Sequence, residues 1–209
     1  MKAAVITIGD ELLIGQVVNT NAAFICHELA SNGFPVNKAV TVPDKTADIL
    51  REFKRIYGQH DITIISGGLG PTHDDITKEC ISKFFGSKLV PDRKVLSNIR
   101  ALFSRRGVRM PESNLAQAMI PENSIALMNR AGTAPGIFIE RGRKVFCALP
   151  GVPHELKQIF RTSVIKLLRK KFSRHLRSHV TIQRTLHTIG IPESSLSEKI
   201  VDTVAITGK

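Results

Sequence analysis

Short apolar runs bounded by glycine, proline and asparagine alternate along the chain with segments of helical period, the pattern of βα units built around a mostly parallel sheet. Ala3 to Ile8 reads as the first strand. Asn19-Thr20-Asn21 supplies cap-type side chains ahead of a helix from Ala22 to Ala30, and Gly33 stands just past its end. Val36 to Val42 is a second strand and Thr46 to Tyr57 a second helix. Asp61 to Ser66 is a third strand, whose continuous apolar centre suits a sheet covered on both faces. Helices are predicted at Asp75 to Phe85, Asp92 to Arg106 and, briefly, Pro111 to Ala118. Ile137 to Ile139 and Val145 to Leu149 form a strand pair turning at Gly142. His154 to Lys171 has helical period. Val180 to Ile189 then reads as a strand, and Ser195 to Val204 as a helix opened by a Ser195-x-x-Glu198 capping box. This divides the chain into an α/β domain at 1–172 and a small, incomplete α+β unit at 173–209, too short to bury a core of its own.

Composition adds bounds. Charged residues at 23% and apolar residues at 42% are ordinary for a globular protein. No apolar run approaches the ~20 residues of a membrane span, and the start of the chain lacks a signal-peptide pattern, so a cytoplasmic protein without membrane association is expected. Cys26, Cys80 and Cys147 are odd in number and lack CxxC spacing, which predicts reduced thiols and no zinc site. The formal charge of +12 is concentrated late, in Lys166, Arg169, Lys170, Lys171, Arg174, Arg177 and Arg184, without interleaved aromatic platforms for bases.

The candidate chemistry sits where strands end. Gly67-Gly68-Leu69-Gly70-Pro71-Thr72 follows the third strand, and successive amides unobstructed by Cβ atoms can form an anion-binding nest. It is neither a Walker A loop nor a dinucleotide fingerprint, because His73 stands where the last glycine of the latter would fall. Asp74 and Asp75 follow at the start of the predicted helix, with Thr77 beyond. They would repel phosphate unless a cation intervened, yet Thr72-x-x-Asp75 also matches a capping box, and both readings stand. Asp44 ends the second strand, and Gly9, Asp10 and Glu11 end the first. Two further loops expose backbone with small side chains: Asn129 to Gly136, containing Gly132, Thr133, Ala134 and Pro135, and Pro150-Gly151-Val152-Pro153. No GxSxG elbow or papain-like signature is present.

Taken together, Gly9 to Gly15, Ser66 to Glu79, Gly132 to Gly136 and Leu149 to Pro153 resemble the CinA family over roughly Met1 to Phe160, and Thr185 to Ser194 looks like the linker that follows in full-length members. The resemblance implies a three-layer α/β/α molybdopterin-binding-like domain of MoaB/Mog type, without the family's C-terminal domain that deamidates nicotinamide mononucleotide. It implies metal-dependent hydrolysis of ADP-ribose to AMP and ribose 5-phosphate, with Asp44 and Asp75 catalytic. A divalent ion (Mg, Mn, Co or Ni) would be held by Asp44, Asp74 and Asp75, and the glycine-rich loops would hold the ligand. The alternative is molybdopterin binding or adenylyl transfer in molybdenum cofactor biosynthesis. Either way the expected partner is a nucleotide or pterin, and by analogy the protein is expected to form a homo-oligomer. A nucleic-acid-binding module is the weaker reading, since Gly190-Ile191-Pro192-Glu193 lacks the second glycine of a KH clamp.

Overall fold

A computed structural model describes residues 1–178 and 187–200. The elements in chain order are β1 (Ala3–Ile8), α1 (Asp10–Leu13), α2 (Thr20–Ser31), β2 (Val36–Val42), α3 (Thr46–Gln59), β3 (Ile62–Ser66), α4 (Thr77–Phe85), β4 (Leu89–Pro91), α5 (Arg93–Arg105), a 3-10 helix (Glu112–Ala118), β5 (Met119–Pro121), β6 (Ile125–Leu127), β7 (Gly136–Arg141), β8 (Lys144–Leu149), α6 (Pro153–Ile159), a π-helical turn (Phe160–Val164), α7 (Ile165–Lys171), α8 (Ser173–Ser178) and α9 (Glu193–Lys199).

Six strands form one sheet in the order β2-β1-β3-β8-β7-β6, with β2, β1, β3 and β8 parallel and β7 antiparallel to both its neighbours. Every residue of β1 and of β3 is buried, as strands covered on both faces require. The period-two pleat sends Ala3 and Val5 into one core with α2, α6 and α7, and Ala4, Ile6 and Ile8 into the other with α3 and α4. The second core closes on Phe146, whose ring centroid lies 5.0 Å from that of Phe53 and 5.1 Å from that of Phe85, in edge-to-face packing. A smaller cluster of Val95, Ile99 and Ala118 joins α5 to the 3-10 helix. The mostly parallel sheet is the one the alternating pattern predicts, and its three-layer α/β/α arrangement is the one the family resemblance implies. The cysteines are free, Cys80 and Cys147 buried and Cys26 half-buried, and burial pushes all three thiols above their ordinary value.

The differences from expectation are local. The helix expected from Asp75 begins at Thr77, since Asp75 turns back on Thr72 instead of entering the helix. Asp10 to Leu13, expected only as residues that end the first strand, makes a single helical turn. The strands β4, β5 and β6 span three residues each, too few for a periodic signal, and exist because a partner strand supplies their register. The helix from Pro153 to Lys171 carries a π turn at its middle. Ser195 does not cap its helix: α9 opens two residues earlier, behind Pro192, with no side-chain cap. The strand expected at Val180 to Ile189 and the end of the helix expected to reach Val204 fall largely outside the described residues. Among those described, no helix is long and apolar enough to cross a membrane.

Candidate ligand pocket at the strand carboxyl ends

Because β1, β2, β3 and β8 run parallel, the segments after Ile8, Val42, Ser66 and Leu149 emerge along one edge of the sheet. The antiparallel β7 brings the loop preceding Gly136 to the same edge. β1 also lies between β2 and β3, so chain connections leave it in two directions, and a crevice forms where loops diverge. The result is a cavity of about 700 Å³, within the range of small-molecule sites. Its walls include Gly9, Asp10 and Glu11 from the first loop, Asp44 from the second, Gly67, Gly68, Gly70, Pro71, Thr72, Asp74 and Asp75 from the third, Thr133 and Ala134 from the fourth, and Pro150 to Pro153 from the fifth.

Four residues expected in the site stand behind it instead. Thr77 is fully buried beneath Gly68. Gly132 is pressed by Glu155, Pro135 is buried, and Gly136 starts β7 between Leu127 and Leu149. They shape the walls and do not line them.

The third loop owes its form to glycine. Gly67 has φ 110° and Gly68 φ 66°, and a Cβ on Gly67 would overlap the Ile8 carbonyl oxygen, while one on Gly68 would overlap the Thr77 hydroxyl. The Gly67 amide donates to Leu149 O (3.1 Å) and Thr77 N donates to Gly68 O (3.0 Å), which fix both ends of the bend. Among the described residues the amides of Gly68, Leu69 and Gly70 donate to no protein acceptor, and Gly68 and Gly70 line the cavity, which leaves their amides to an anion there. Asp75 closes the loop from below: its Oδ2 accepts from the Thr72 amide (2.8 Å) and from the Thr72 hydroxyl. This is the backward half of the box read from Thr72-x-x-Asp75, made in a turn ahead of the helix, and it engages one carboxylate oxygen structurally.

Asp44 and Asp10 clasp each other's backbones. The Asp10 amide donates to Asp44 Oδ2 (3.0 Å) and the Asp44 amide to Asp10 Oδ1 (3.3 Å), tying the ends of β1 and β2 together. Desolvation raises the Asp44 carboxyl above the usual carboxylate range; repulsion from Asp10, Glu11 and Asp74 pushes the same way, against the Asp10 amide. A raised folded-state value means that Asp44 contributes stability in acid that is lost as pH rises through that value. Asp44→Asn is therefore expected to raise the melting temperature at neutral pH and to leave it unchanged below the carboxylate range. Melting curves from pH 3 to 8 check this, and a variant less stable than wild type at pH 7 would show that the clasp outweighs the repulsion.

Asn19 caps its helix as its cap-type pattern predicts, but several residues also make bonds across loops that no motif announced. Asn21 donates to Ser66 Oγ (3.1 Å) and Gly151 O (2.7 Å), joining the third and fifth loops from α2, and its own Oδ1 is buried without a protein partner among the described residues. Asn19 caps α2 through Ala22 N (3.0 Å) and donates to Thr7 Oγ1 (2.8 Å). Buried Asn129 accepts from Ala131 N and Gly132 N, and donates to Ala134 O and to Glu155 (2.6 Å). Val17 and Val18, 51% and 80% exposed, form an apolar rim.

Among the described residues, the lining carries Asp10, Glu11, Asp44, Asp74, Asp75 and Glu155, and no Lys, Arg or His. Such a donor set suits a hard divalent cation by its chemistry. Among the described residues, however, no three His, Cys, Asp or Glu side chains are gathered closely enough to hold a metal.

The fold and the crevice define an α/β protein with a ligand pocket at the topological switch of a mostly parallel sheet. The family described as "Probable molybdopterin binding domain" matches residues 4–170. A protein of Caldicellulosiruptor saccharolyticus named for competence-damage induction is 43% identical over 204 residues, which cover 98% of this chain and 48% of that protein. A CinA-like protein of Chloroherpeton thalassium is 42% identical over 204 residues, covering 96% of this chain and 47% of its own length. The crystal structure of CinA from Thermoplasma acidophilum, titled as of unknown function, superposes with a TM-score of 0.71 at 36% identity, over 81% of this chain and 96% of that one. MoaB from Thermus thermophilus, at 20% identity and a TM-score of 0.56 over 82% of this chain and 94% of its own, shares the fold. The chain belongs to the CinA family, through its molybdopterin-binding-type domain. It spans about half the length of the curated relatives it matches.

Proposed function

We propose that the pocket binds a phosphate-bearing heteroaromatic ligand of the molybdopterin or nucleotide class. The observation that carries this reading is the bend at Gly68 to Gly70, whose amides have no protein acceptor among the described residues, set in the same cavity as the apolar rim of Val17 and Val18. Amides suit a phosphate, and the rim suits a planar ring. The family's description as molybdopterin-binding supports the same class of ligand. Titration calorimetry of the full chain with molybdopterin, AMP and ADP-ribose tests it: saturable binding of at least one of the three is expected, and heat of dilution alone for all three would end it.

A second reading goes further, to hydrolysis of ADP-ribose to AMP and ribose 5-phosphate. Its support is the carboxylate lining, which leaves an anionic diphosphate unbalanced unless a cation accompanies it. Asp44 and Asp74, whose charges repel one another, would each offer a carboxylate to a divalent ion whose remaining ligands would be the diphosphate and water, and bound there it would neutralise the phosphates and acidify a water. The free amides of the glycine bend would stabilise charge growing on the attacked phosphate. AMP release from ADP-ribose, with Mg, Mn, Co or Ni added, is the expected result. Ligand binding without turnover under any of these ions would remove the hydrolase reading and leave the binding one standing.

A further inference from the structure

No Asp or Glu occurs between Glu155 and Glu193, and the helical run that crosses the described part of this stretch carries Lys157, Arg161, Lys166, Arg169, Lys170, Lys171 and Arg174. The π turn at Phe160–Val164 decides how these cations are arranged. Residues four apart lie along one ridge of an α-helix, and a π turn holds one residue more than an α turn. The five-residue step from Arg161 to Lys166 crosses that turn, so it does the work of a four-residue step. Lys157, Arg161, Lys166 and Lys170 therefore form one ridge, with Arg169 beside it. At ~1.5 Å rise per residue the ridge is about 20 Å long, with a cation roughly every 6 Å.

The ridge is not neutralised along its length. Arg161 pairs with Glu28 (2.7 Å), and Lys171, beyond its end, pairs with Glu140 (2.9 Å). Lys157, Lys166, Arg169 and Lys170 are exposed. Beyond the ridge, a second cavity of about 570 Å³ opens at the far edge of the sheet, with Arg143, Lys171, Arg174 and His175 among its walls and Asp61 its sole acid among the described residues. Six of the chain's 18 acidic residues line the pocket at the opposite edge, which leaves 12 acids against all 30 Lys and Arg in the remainder of the chain.

We propose that this ridge is a docking surface for the phosphate backbone of a duplex nucleic acid, bound without regard to sequence. Phosphate contacts position a protein on a duplex and carry no sequence information, which fits a surface with no base-reading device. The described part of the run, 156–178, holds no large exposed hydrophobic that could enter a bilayer. It has no apolar or aromatic anchor of the kind found at the core of protein interfaces, where lysine is depleted. The ring of Phe24, which lies against the ridge, is covered by Lys157 at 5.6 Å and Arg161 at 5.1 Å, so it offers no stacking platform to a single strand. The ridge spans about six base pairs of a duplex at ~3.4 Å each.

The test is fluorescence anisotropy of the full chain with a labelled 20-base-pair duplex of arbitrary sequence. With four phosphates neutralised, affinity is expected to fall about hundredfold between 50 and 200 mM salt. Combined Lys157→Gln, Lys166→Gln, Arg169→Gln and Lys170→Gln substitutions should flatten the salt dependence by about one unit per cation removed and weaken binding at 50 mM more than tenfold. All four sites are exposed, and an unchanged far-ultraviolet circular dichroism spectrum confirms folding. A control removing equal charge from α5 and its end, by Lys94→Gln, Arg100→Gln, Arg105→Gln and Arg106→Gln, should bind like wild type. The proposal fails if no duplex binds at 50 mM salt, if the control loses as much affinity as the ridge variant, or if single strands or phosphatidylserine vesicles bind more tightly than the duplex.

Discussion

Gly67→Ala is expected to destabilise the protein by about 3 kcal/mol or more and to weaken ligand binding at the pocket at least tenfold. Two costs combine. An L-residue held in an unfavourable positive-φ conformation costs of order 1–3 kcal/mol, and Gly67 sits at φ 110°. The added Cβ would also overlap the Ile8 carbonyl oxygen, a backbone atom of the central strand that has no rotamer by which to withdraw. Relief requires β1 and the glycine bend to part, which displaces the amides of Gly68 to Gly70 and the carbonyl of Leu149 that anchors the bend. Gly142→Ala separates the two costs, since Gly142 has φ 59° in the β7–β8 turn with open space around its Cβ direction. That variant should lose only the conformational cost, about 1–2 kcal/mol, and bind ligand normally. Chemical denaturation and calorimetry on both proteins check this, and equal losses at the two sites would show that close approach of the strand is not what demands glycine at Gly67.

Phe146→Ala is expected to cost about 3–5 kcal/mol, the range for removing a buried aromatic ring from a core. Phe146 is fully buried on β8, and its ring meets those of Phe53, Tyr57, Phe84 and Phe85 from α3 and α4. For a chain of this length each kcal/mol lowers the melting temperature by ~2–4 °C, so a fall of about 6–20 °C is expected. Its neighbours come from two helices and are themselves aromatic, so they cannot collapse into the vacated volume without losing their edge-to-face contacts with one another. Phe138→Ala, on the next strand and equally buried but outside this aromatic group, provides the comparison. A loss at Phe146 no larger than ~1 kcal/mol would show that the cluster repacks.

The pocket and the core are linked through β8. Phe146 anchors the strand in one layer, and three residues later Leu149 accepts from the Gly67 amide. The Gly151 carbonyl that follows accepts from Asn21. A loosened Phe146 layer should therefore reach the ligand site through strand position, while leaving the carboxylates of the first and second loops on their mutual clasp.

How much of this was legible in the sequence depended on the range of the interaction. The apolar run at Asp61 to Ser66 announced two-sided burial because strand burial is written in consecutive residues. The glycine bend announced itself because only glycine tolerates its backbone, and local backbone requirements leave local residues. The exit of Asp75 from its expected helix was not legible, since Thr72-x-x-Asp75 satisfies the same donors in a turn as in a helix's first turn. Nor were Asn21 and Asn129, because an asparagine that bridges loops more than 20 residues apart, as Asn21 does, or holds a loop on a distant glutamate, as Asn129 does, looks like any other asparagine in the chain.

The residues alone determined the order of the longer strands and helices, the bend at Gly67 to Gly70 and the stretch from Glu155 to Glu193 without acids, for each is a property of neighbours along the chain. Tertiary structure decided which of those neighbours share a space. The order β2-β1-β3-β8-β7 carried five separated loops to one edge of the sheet and set six carboxylates around one cavity. A single π turn brought cations five residues apart onto one ridge. The physical reason is the same in both: sequence fixes what a segment prefers, whereas strand pairing and helical register, settled by packing over the whole core, fix what it faces.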